Sequence, residues 1–318
     1  MDNTGSPLHE GDNQPLQTGI FGFLIALFGF IFLGPLIGSV VAFPFLENGL
    51  ADLMELSENP TAKESFKVPL YILQGVTTLV GLIAIPWLFL TIRKDHPSES
   101  LFANKPQLIA YLMTAVAVIT FMGFNSFFIE WNANVEFPQA LEAFEKWARE
   151  YEDTLARATE FLTTFDTTGQ FILALIDIAI LPAIGEEIVF RGILQRKLTE
   201  SGMNHHLAIW IAAILFSGIH FQFFGFIPRM LLGALFGYLY FWSNDIRIPM
   251  LAHFINNGFL VVALYINQLG ISDYDLEGEE PPSLVAAIIF TIITAVLLIL
   301  LYRHFKTKSL YEPVEDRF

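Results

Sequence analysis

Residues 20–43 read IFGFLIALFGFIFLGPLIGSVVAF, a run that contains no charged side chain. A helix needs about 20 apolar residues to cross the hydrocarbon core of a bilayer, so this run is long enough to span it. Seven further apolar runs follow, at about 68–92, 108–129, 171–195, 206–221, 227–242, 248–266 and 284–302. Their residues do not alternate between polar and apolar, as the strands of a membrane barrel do. The sequence therefore predicts an all-α fold, a polytopic membrane helix bundle with about eight transmembrane helices.

The composition agrees with a membrane protein and limits its partners. Charged residues make up 15% of the 318 residues, whereas soluble proteins average about 25%. The net charge of −15 argues against nucleic acid as a partner, because binding phosphate requires clustered Lys and Arg. The chain has no cysteine, which excludes disulfides and thiolate metal sites. We expect membrane lipid as one partner. We also expect a polar tail before the first run instead of a cleaved signal peptide, because that tail has no Lys or Arg.

The positions of Lys and Arg predict which way the helices cross the membrane, since cytoplasmic loops are rich in these residues. With the N-terminal tail as loop zero, the even-numbered loops and the C-terminal tail hold Arg93, Lys94, Lys105, Arg191, Arg196, Lys197, Arg247, Arg303, Lys306, Lys308 and Arg317. The odd-numbered loops hold fewer cations, Lys63, Lys67, Lys146, Arg149, Arg157 and Arg229. They are also acidic, above all in residues 273–280. We therefore expect a multi-pass protein of the cell membrane with both termini in the cytoplasm.

One long polar stretch, residues 130–170, separates the third apolar run from the fourth. Its apolar residues recur at spacings of three and four: Leu141, Phe144, Trp147, Ala148, Tyr151 and Leu155. This spacing predicts an amphipathic helix. Such a helix would pack as a cap on the bundle or lie on the outer membrane surface.

Ionisable residues within the fourth apolar run are the strongest functional signal. The run contains Gly185-Glu186-Glu187-Ile188-Val189-Phe190-Arg191, and a charge at membrane depth costs about 2.5 kcal/mol or more. Glu187 and Arg191 are four residues apart, so they share a helix face and can pair. Glu186 is rotated by about 100° from Glu187, so it points elsewhere and needs another partner.

Two further runs supply polar groups that can complete a site with Glu186. Phe216 and His220 are four residues apart in the fifth run, and His253 and Asn257 are four apart in the seventh. A buried carboxylate can take a proton from water, and imidazoles can donate hydrogen bonds to an oxyanion. Glu186 with the two histidines would equally satisfy a zinc site with an open position for water. The residues alone leave both possibilities open.

The three patterns occur together in the order of a known family. Glu-Glu-x-x-x-Arg, Phe-x-x-x-His and His-x-x-x-Asn on successive apolar helices resemble the CPBP family of intramembrane proteases. This family includes the CAAX prenyl endopeptidases of the Ras-converting enzyme type and the bacteriocin-processing and self-immunity proteins. The resemblance implies that Glu186 activates the attacking water with the help of His220. It further implies that His253 and Asn257 stabilise the tetrahedral oxyanion.

The resemblance also implies a division of the chain and a class of substrate. Glu187, Arg191 and Phe216 would support the catalytic groups. The substrate would be a membrane-associated or lipidated peptide or protein. The resemblance leaves the use of a metal open. We expect a metal-free reaction, with a divalent metal such as zinc, held by Glu186, His220 and His253, as the alternative. The expected regions are an N-terminal three-helix membrane region with the outer amphipathic loop at 1–170, a catalytic helical core at 171–268, and the last transmembrane helix with a cytoplasmic tail at 269–318.

Two other functions are compatible with polar residues in a membrane bundle. The first is a non-catalytic immunity or scaffold protein that binds its partner through the same helices. The second is a transporter, because buried Glu and His also build ion and proton relays. The sequence disfavours the transporter, since it has no internal repeat relating two halves of the chain.

Some details of the site remain as expectations for the structure. His253 is only about 8 Å from the start of its helix, whereas Glu186 and His220 are about 20 Å along theirs. Their convergence requires the seventh helix to begin deep in the membrane, after a re-entrant approach at Ile248-Pro249. Asp177 is expected to face another helix or the outer surface and to play no catalytic part. Two further histidines, His205 and His206, are expected to be solvated in a turn.

Overall fold

The computed structural model of the chain describes residues 14–272 and 283–311. These residues form helices and no strand, which confirms the predicted all-α membrane bundle. The principal helices are α1 (Gln14–Phe45), α2 (Leu50–Glu58), α3 (Glu64–Ile92), α4 (Leu108–Ala133), α5 (Glu142–Thr163), α6 (168–200), α7 (His205–Gly218), α8 (Phe226–Ser243), α9 (Arg247–Gln268) and α10 (Leu284–Tyr311).

Each of the eight predicted apolar runs forms a helix, and five of these helices are long and apolar enough to cross a membrane. These five are α1, α3, α4, α9 and residues Val285–Lys306 of α10. The other three are α6, α7 and α8. Helix α6 carries the ionisable residues, α7 has only 14 residues, and α8 contains Arg229 in its first turn. The helices that deviate most from a plain membrane span therefore belong to the segment with the functional motifs.

Helix α6 occupies the middle of the bundle and contacts α1, α3, α7, α8 and α9. It contains two π-helical stretches, Leu175–Ile180 and Ile188–Gln195. The two glutamates lie in the α-helical turn between these stretches. Wide π turns inside α-helices are frequent at functional sites, because they re-aim side chains relative to the regular helix.

Close contacts of α8 with α6 and with α7 depend on two glycines of α8, Gly237 and Gly233. A Cβ atom added to Gly237 would lie 2.8 Å from Oε1 of Gln195, and one added to Gly233 would lie 3.1 Å from the Cα of Ala213. The carbonyls of both glycines accept hydrogen bonds from polar side chains of α6: Gly233 from Arg191 at 2.8 Å and Gly237 from Gln195 at 2.9 Å. Small residues here let buried polar groups reach backbone acceptors.

The connection between α8 and α9 explains how His253 can lie near the start of its helix and still reach the site. The connection is a tight turn, residues 244–246, in which Asp245 and Ile246 are fully buried. Leu101, also fully buried, accepts the Ile246 N–H at 2.9 Å. Helix α9 therefore begins in contact with the segment that follows α3. Ile248 and Pro249, where a re-entrant approach was expected, lie within the first turn of α9, and the depth at which this helix begins in the membrane stays a prediction.

Helix α5 is the predicted amphipathic helix, and it packs on the bundle. Its Ala148 is fully buried, and Phe144 meets Phe223, beyond α7, with ring centroids 4.9 Å apart. Trp147 and Tyr151 stack on one another and remain partly exposed. The helix thus acts as a cap over the loop between α7 and α8.

The orientation of the bundle in the membrane remains a prediction. The acidic residues 273–280, the tail before residue 14 and Arg317 lie outside the described residues. Arg191, which was counted among the loop cations, is fully buried inside the bundle and contributes nothing to the charge asymmetry of the loops.

Candidate functional site

A fully buried ion pair lies at the base of the site. Nη1 of Arg191 donates to Oε1 of Glu187 at 2.9 Å, and both side chains are 0% exposed. The guanidinium lies 4.8 Å from the ring centroid of Phe216. This confirms the predicted pairing of Glu187 with Arg191. A buried ion pair contributes little net stability, because desolvation of both charges offsets their attraction. Here the pair matters because it fixes where the Glu187 carboxylate lies.

His253 joins this pair from α9. Its Nδ1 donates to the same Oε1 of Glu187 at 2.9 Å, since a carboxylate can only accept. The ring stacks on Phe236 with centroids 5.1 Å apart. Its other nitrogen, Nε2, lies 3.2 Å from Nδ2 of Asn257. Glu187 therefore fixes the orientation of His253, a link between α6 and α9 that helix spacing alone did not predict.

Glu186 points away from the buried pair, as its rotation on the helix predicts. Its side chain is 13% exposed, and its Oε2 lies 3.9 Å from Nε2 of His253. That distance is too long for a hydrogen bond. Of two adjacent glutamates, one is thus held by Arg191 and His253 and the other faces open space.

The fifth apolar run predicted a helix that includes His220, but His220 lies just outside α7. The helix ends at Gly218, and His220 lies in the turn that follows, where Phe221 adopts a left-handed backbone conformation with φ 53°. Gly218 favours the end of the helix because glycine is a poor helix former, and the positive φ of Phe221 prevents the helix from continuing. Nδ1 of His220 still reaches the carbonyl of Phe216 at 2.8 Å, so the two residues remain neighbours. This bond leaves Nε2 as the second ring nitrogen for other contacts.

These groups meet at a cavity of about 540 Å³. Five of the seven predicted site residues line it: Glu186, Phe216, His220, His253 and Asn257. Glu187 and Arg191 lie behind this wall. Much of the remaining lining is apolar, for example Ile129, Ile178, Leu232 and Leu260. Apolar walls with a few convergent polar groups are typical of ligand sites.

The cavity also includes polar residues that the sequence reasoning missed: Asn125, Gln222, Arg229 and Asn256. Arg229 was taken for a loop cation, and Asn256 was passed over beside Asn257. A signal existed for Asn125 and Asn256, because an amide side chain inside an apolar run needs a partner. For Gln222 and Arg229 no sequence signal distinguished them from loop residues.

The loop that carries His220 is held by the outer helices. Nδ2 of Asn132 donates to the carbonyl of Phe223 at 3.1 Å, and its Oδ1 accepts the N–H of Ile227 at 2.8 Å. From α5, Oε1 of Glu152 accepts the N–H of Phe224 at 2.9 Å. Helices α4 and α5, outside the predicted core, thus position one of its histidines.

The residues expected to have no catalytic part lie away from the cavity. Asp177 is buried, and a Cβ added to Gly75 of α3 would lie 3.0 Å from its Oδ1, so it faces another helix as expected. His206 is exposed and bonds Tyr238 through Nδ1 at 2.8 Å. His205 stacks on Phe241.

The three residues expected as alternative metal ligands do not form a metal-binding group. Across the described ranges, no group of three His, Cys, Asp or Glu side chains is arranged to hold a metal together. Glu186, His220 and His253 share the cavity wall, and the Nδ1 bonds of the two histidines leave Nε2 as the nitrogen that a metal would use. The reaction proposed for this site therefore uses only side chains of this chain.

A bundle of membrane helices around a buried carboxylate, two histidines and an asparagine defines a class of integral membrane protein with an internal polar site. Residues 168–259 match the model of the Type II CAAX prenyl endopeptidase Rce1-like family. The match includes all seven predicted site residues, so the family resemblance predicted from the three motifs is confirmed over this segment.

Two curated proteins are similar to part of the chain. The uncharacterized protein YpbD of Bacillus subtilis (strain 168) is 33% identical over 85 residues, which are 26% of this chain and 40% of YpbD. The membrane-embedded CAAX protease MroQ of Staphylococcus aureus (strain USA300) is 27% identical over 95 residues, 28% of this chain and 38% of MroQ. The chain thus matches about two-fifths of the length of each relative. No solved structure matches the chain.

Proposed function

We propose that this chain is an intramembrane endopeptidase in which Glu186 activates water for attack on a peptide bond. The observation that carries the proposal is the division between the two glutamates. Glu187 is buried and engaged by Arg191 and His253, whereas Glu186 faces the cavity. A carboxylate placed in this way is available as a general base. The family match over residues 168–259 supports the same reading.

In the proposed reaction, Glu186 takes a proton from a water molecule in the cavity. The water oxygen then bonds to the carbonyl carbon of the scissile peptide, and the carbonyl oxygen becomes an oxyanion. When this intermediate collapses, the C–N bond breaks and the proton held by Glu186 passes to the leaving nitrogen. His220 lines the same cavity and assists by hydrogen bonding to the water.

His253 and Asn257 are proposed to stabilise the oxyanion. Because Nδ1 of His253 is bonded to Glu187, Nε2 is the ring nitrogen on the side of Glu186, 3.9 Å from its Oε2. This nitrogen is proposed to donate to the oxyanion when it carries a proton. Nδ2 of Asn257, in the next turn, lies 3.0 Å from the carbonyl of Ile178 and 3.2 Å from Nε2 of His253. The amide hydrogen on the His253 side is proposed to turn to the oxyanion when the substrate binds. Preorganised donors of this kind typically lower the barrier by several kcal/mol.

The proposed substrate is a peptide or protein that reaches the cavity from the membrane, with a lipidated peptide as one candidate. The apolar lining, which includes Ile178, Leu232 and Leu260, suits an apolar or lipidated segment. Membrane lipid is proposed to surround the many apolar side chains of α1 and α10 that are exposed.

The proposal is tested by incubating detergent-purified protein with a mixed library of membrane-derived and lipidated peptides. Wild type is compared with Glu186→Gln and with Glu142→Gln, which alters an exposed glutamate of α5. We expect cleavage by wild type and Glu142→Gln and a loss of at least about 1,000-fold in Glu186→Gln. Cleavage retained in Glu186→Gln would reject this residue as the base.

A chelator arm decides the role of metal. Cleavage that survives chelation supports metal-free hydrolysis, and cleavage lost with chelator and restored by zinc supports the metal alternative. No cleavage by any variant over the full library would favour the non-catalytic immunity or scaffold function instead.

A further inference from the structure

Arg229 is a charged group at the cavity that the proposed mechanism leaves without a task. It lies in the first turn of α8 and is half-buried. It lines the same cavity as Glu186, and the carboxylates of Glu186 and Glu152 are both near enough to attract its charge. Among the described residues, it forms no ion pair within 4.0 Å. A cation at the wall of an apolar cavity is costly unless something there uses its charge.

The guanidinium of Arg229 is oriented but not satisfied. Nη2 donates to Oε1 of Gln222 at 2.5 Å, which fixes one arm of the fork. Nη1 is buried, and within the described residues it has no hydrogen-bond partner. The fork lies against Gly225, where an added Cβ would be 3.4 Å from Nη2. Gly225 therefore leaves room for the guanidinium beside the cavity.

We propose that Arg229 forms a subsite that binds a carboxylate group of the peptide substrate. The guanidinium fork matches a carboxylate in geometry and charge, and such bonds are among the strongest that proteins form. Gln222 orients the fork, and the start of α8 adds the positive end of its helix dipole. This subsite rests on the proposed protease function and deepens it, because it predicts which peptides the cavity selects.

A substrate carboxylate has two sources, the free C-terminus of a peptide or the side chain of an internal Asp or Glu. Matched peptides distinguish them. One apolar parent sequence is made as a C-terminal acid, as a C-terminal amide, and as the amide with one internal Glu or Gln. The peptides differ only in the carboxylate and its position.

The kinetic test compares wild type, Arg229→Gln and Arg229→Lys on these peptides, with Arg157→Gln on the exposed face of α5 as the matched control. For the peptide that carries the recognised carboxylate, we expect Arg229→Gln to raise KM by about 10-fold or more. The kcat should change by less than about 3-fold. Arg229→Lys should have a KM between those of wild type and Arg229→Gln, because an ammonium keeps the charge but lacks the two-pronged geometry of a guanidinium. For the peptide without a carboxylate, KM should be the same in wild type and in all variants.

A role in supporting Glu186 would give a different pattern. If Arg229→Gln lowers kcat equally for acid and amide peptides, Arg229 acts on the base and the subsite is rejected. Equal KM values for acid, amide, Glu and Gln peptides in wild type would also reject it. Melting temperatures of the variants show whether the fold is intact, and Arg229→Lys keeps the test valid if Arg229→Gln unfolds.

A binding measurement separates failure of the subsite from failure of the protease function. Fluorescent forms of the acid, amide, Glu and Gln peptides are titrated into detergent-purified Glu186→Gln and into Glu186→Gln with Arg229→Gln. A preference of about 10-fold for one of the carboxylate peptides that disappears in the double variant supports the subsite even if no peptide is cleaved. Equal binding of all four peptides to Glu186→Gln overturns it.

Discussion

The central helix α6 and the outer helix α5 each contain an ion pair, but the two pairs lie in different surroundings. In α6, Glu187 and Arg191 are 0% exposed and connect to His253 of another membrane helix. In α5, Lys146 and Glu150 are 78% and 67% exposed. The buried pair is costly to desolvate and is retained for its geometry, whereas the exposed pair lies in solvent and contributes little. The comparison separates charges that build the site from charges that cover the surface.

The largest expected effect comes from breaking the buried pair. Arg191→Met leaves Glu187 buried without its cation, and we expect a loss of about 3–5 kcal/mol in the free energy of unfolding. Lys146→Met, the matched change in the exposed pair, should alter stability by less than about 0.5 kcal/mol. Chemical unfolding in mild detergent measures both. Similar losses for the two variants would contradict the distinction between the regions.

The next effect tests how the region outside the family match is held together. Gly81 of α3 packs against α1, where an added Cβ would lie 2.4 Å from the Cα of Phe30. Backbone atoms cannot move aside cheaply, so Gly81→Ala should destabilise the protein by about 1–3 kcal/mol. A Cβ added to Gly169 would lie 3.6 Å from its nearest neighbour, Oγ1 of Thr167, so Gly169→Ala should hardly change stability. Equal melting temperatures for the two alanine variants would show that the α1–α3 contact is looser than described.

A smaller effect tests whether the outer helices support the site. Asn132→Ala removes the bonds of α4 to the backbone of Phe223 and Ile227, which follow His220. We expect kcat to fall on the order of 10-fold, because small displacements of a catalytic group are costly. Asn134→Ala is the control, since this side chain bonds only its own helix at Glu130. If both variants cleave like wild type, the outer helices do not position His220.

The smallest effect concerns how the stability of the fold depends on pH through Asp52 of α2. Hydrogen bonds from Lys63 and from the backbone of Asn48 lower the pKa of Asp52 from 3.8 to about 2. Because the folded pKa is depressed, Asp52 stabilises the fold above pH 4 and this contribution is lost as pH falls towards 2. The melting temperature of wild type should therefore drop across this range by more than that of Asp52→Asn. Parallel curves for the two proteins would exclude a role for this carboxylate.

The fold was largely predictable from sequence because membrane spans are set by long apolar runs. The third run was expected at 108–129 and forms Leu108–Ala133, and the seventh was expected at 248–266 and forms Arg247–Gln268. The pairing of Glu187 with Arg191 followed from helix periodicity alone. Features that depend only on local sequence were therefore predicted well.

The rest of the site depends on contacts between helices and could not be read locally. The bond from His253 to Glu187 crosses from α9 to α6, and no spacing within one helix predicts it. Arg229 lies at the cavity because α8 begins there, after a loop that is bonded to Asn132 of α4 and Glu152 of α5. The end of α7 before His220 depends on the left-handed conformation of Phe221, which is rare for a bulky residue and has no sequence signature.

The central claim is that two adjacent glutamates have different tasks, and one paired measurement tests it. Cleavage rate and melting temperature are recorded side by side for wild type, Glu186→Gln and Glu187→Gln on the same peptide. The account predicts that Glu186→Gln loses cleavage at a melting temperature close to that of wild type. It predicts that Glu187→Gln loses stability, because Arg191 is then left buried without its anion. Cleavage retained by Glu186→Gln, or unfolding of that variant with no change in Glu187→Gln, would contradict the account.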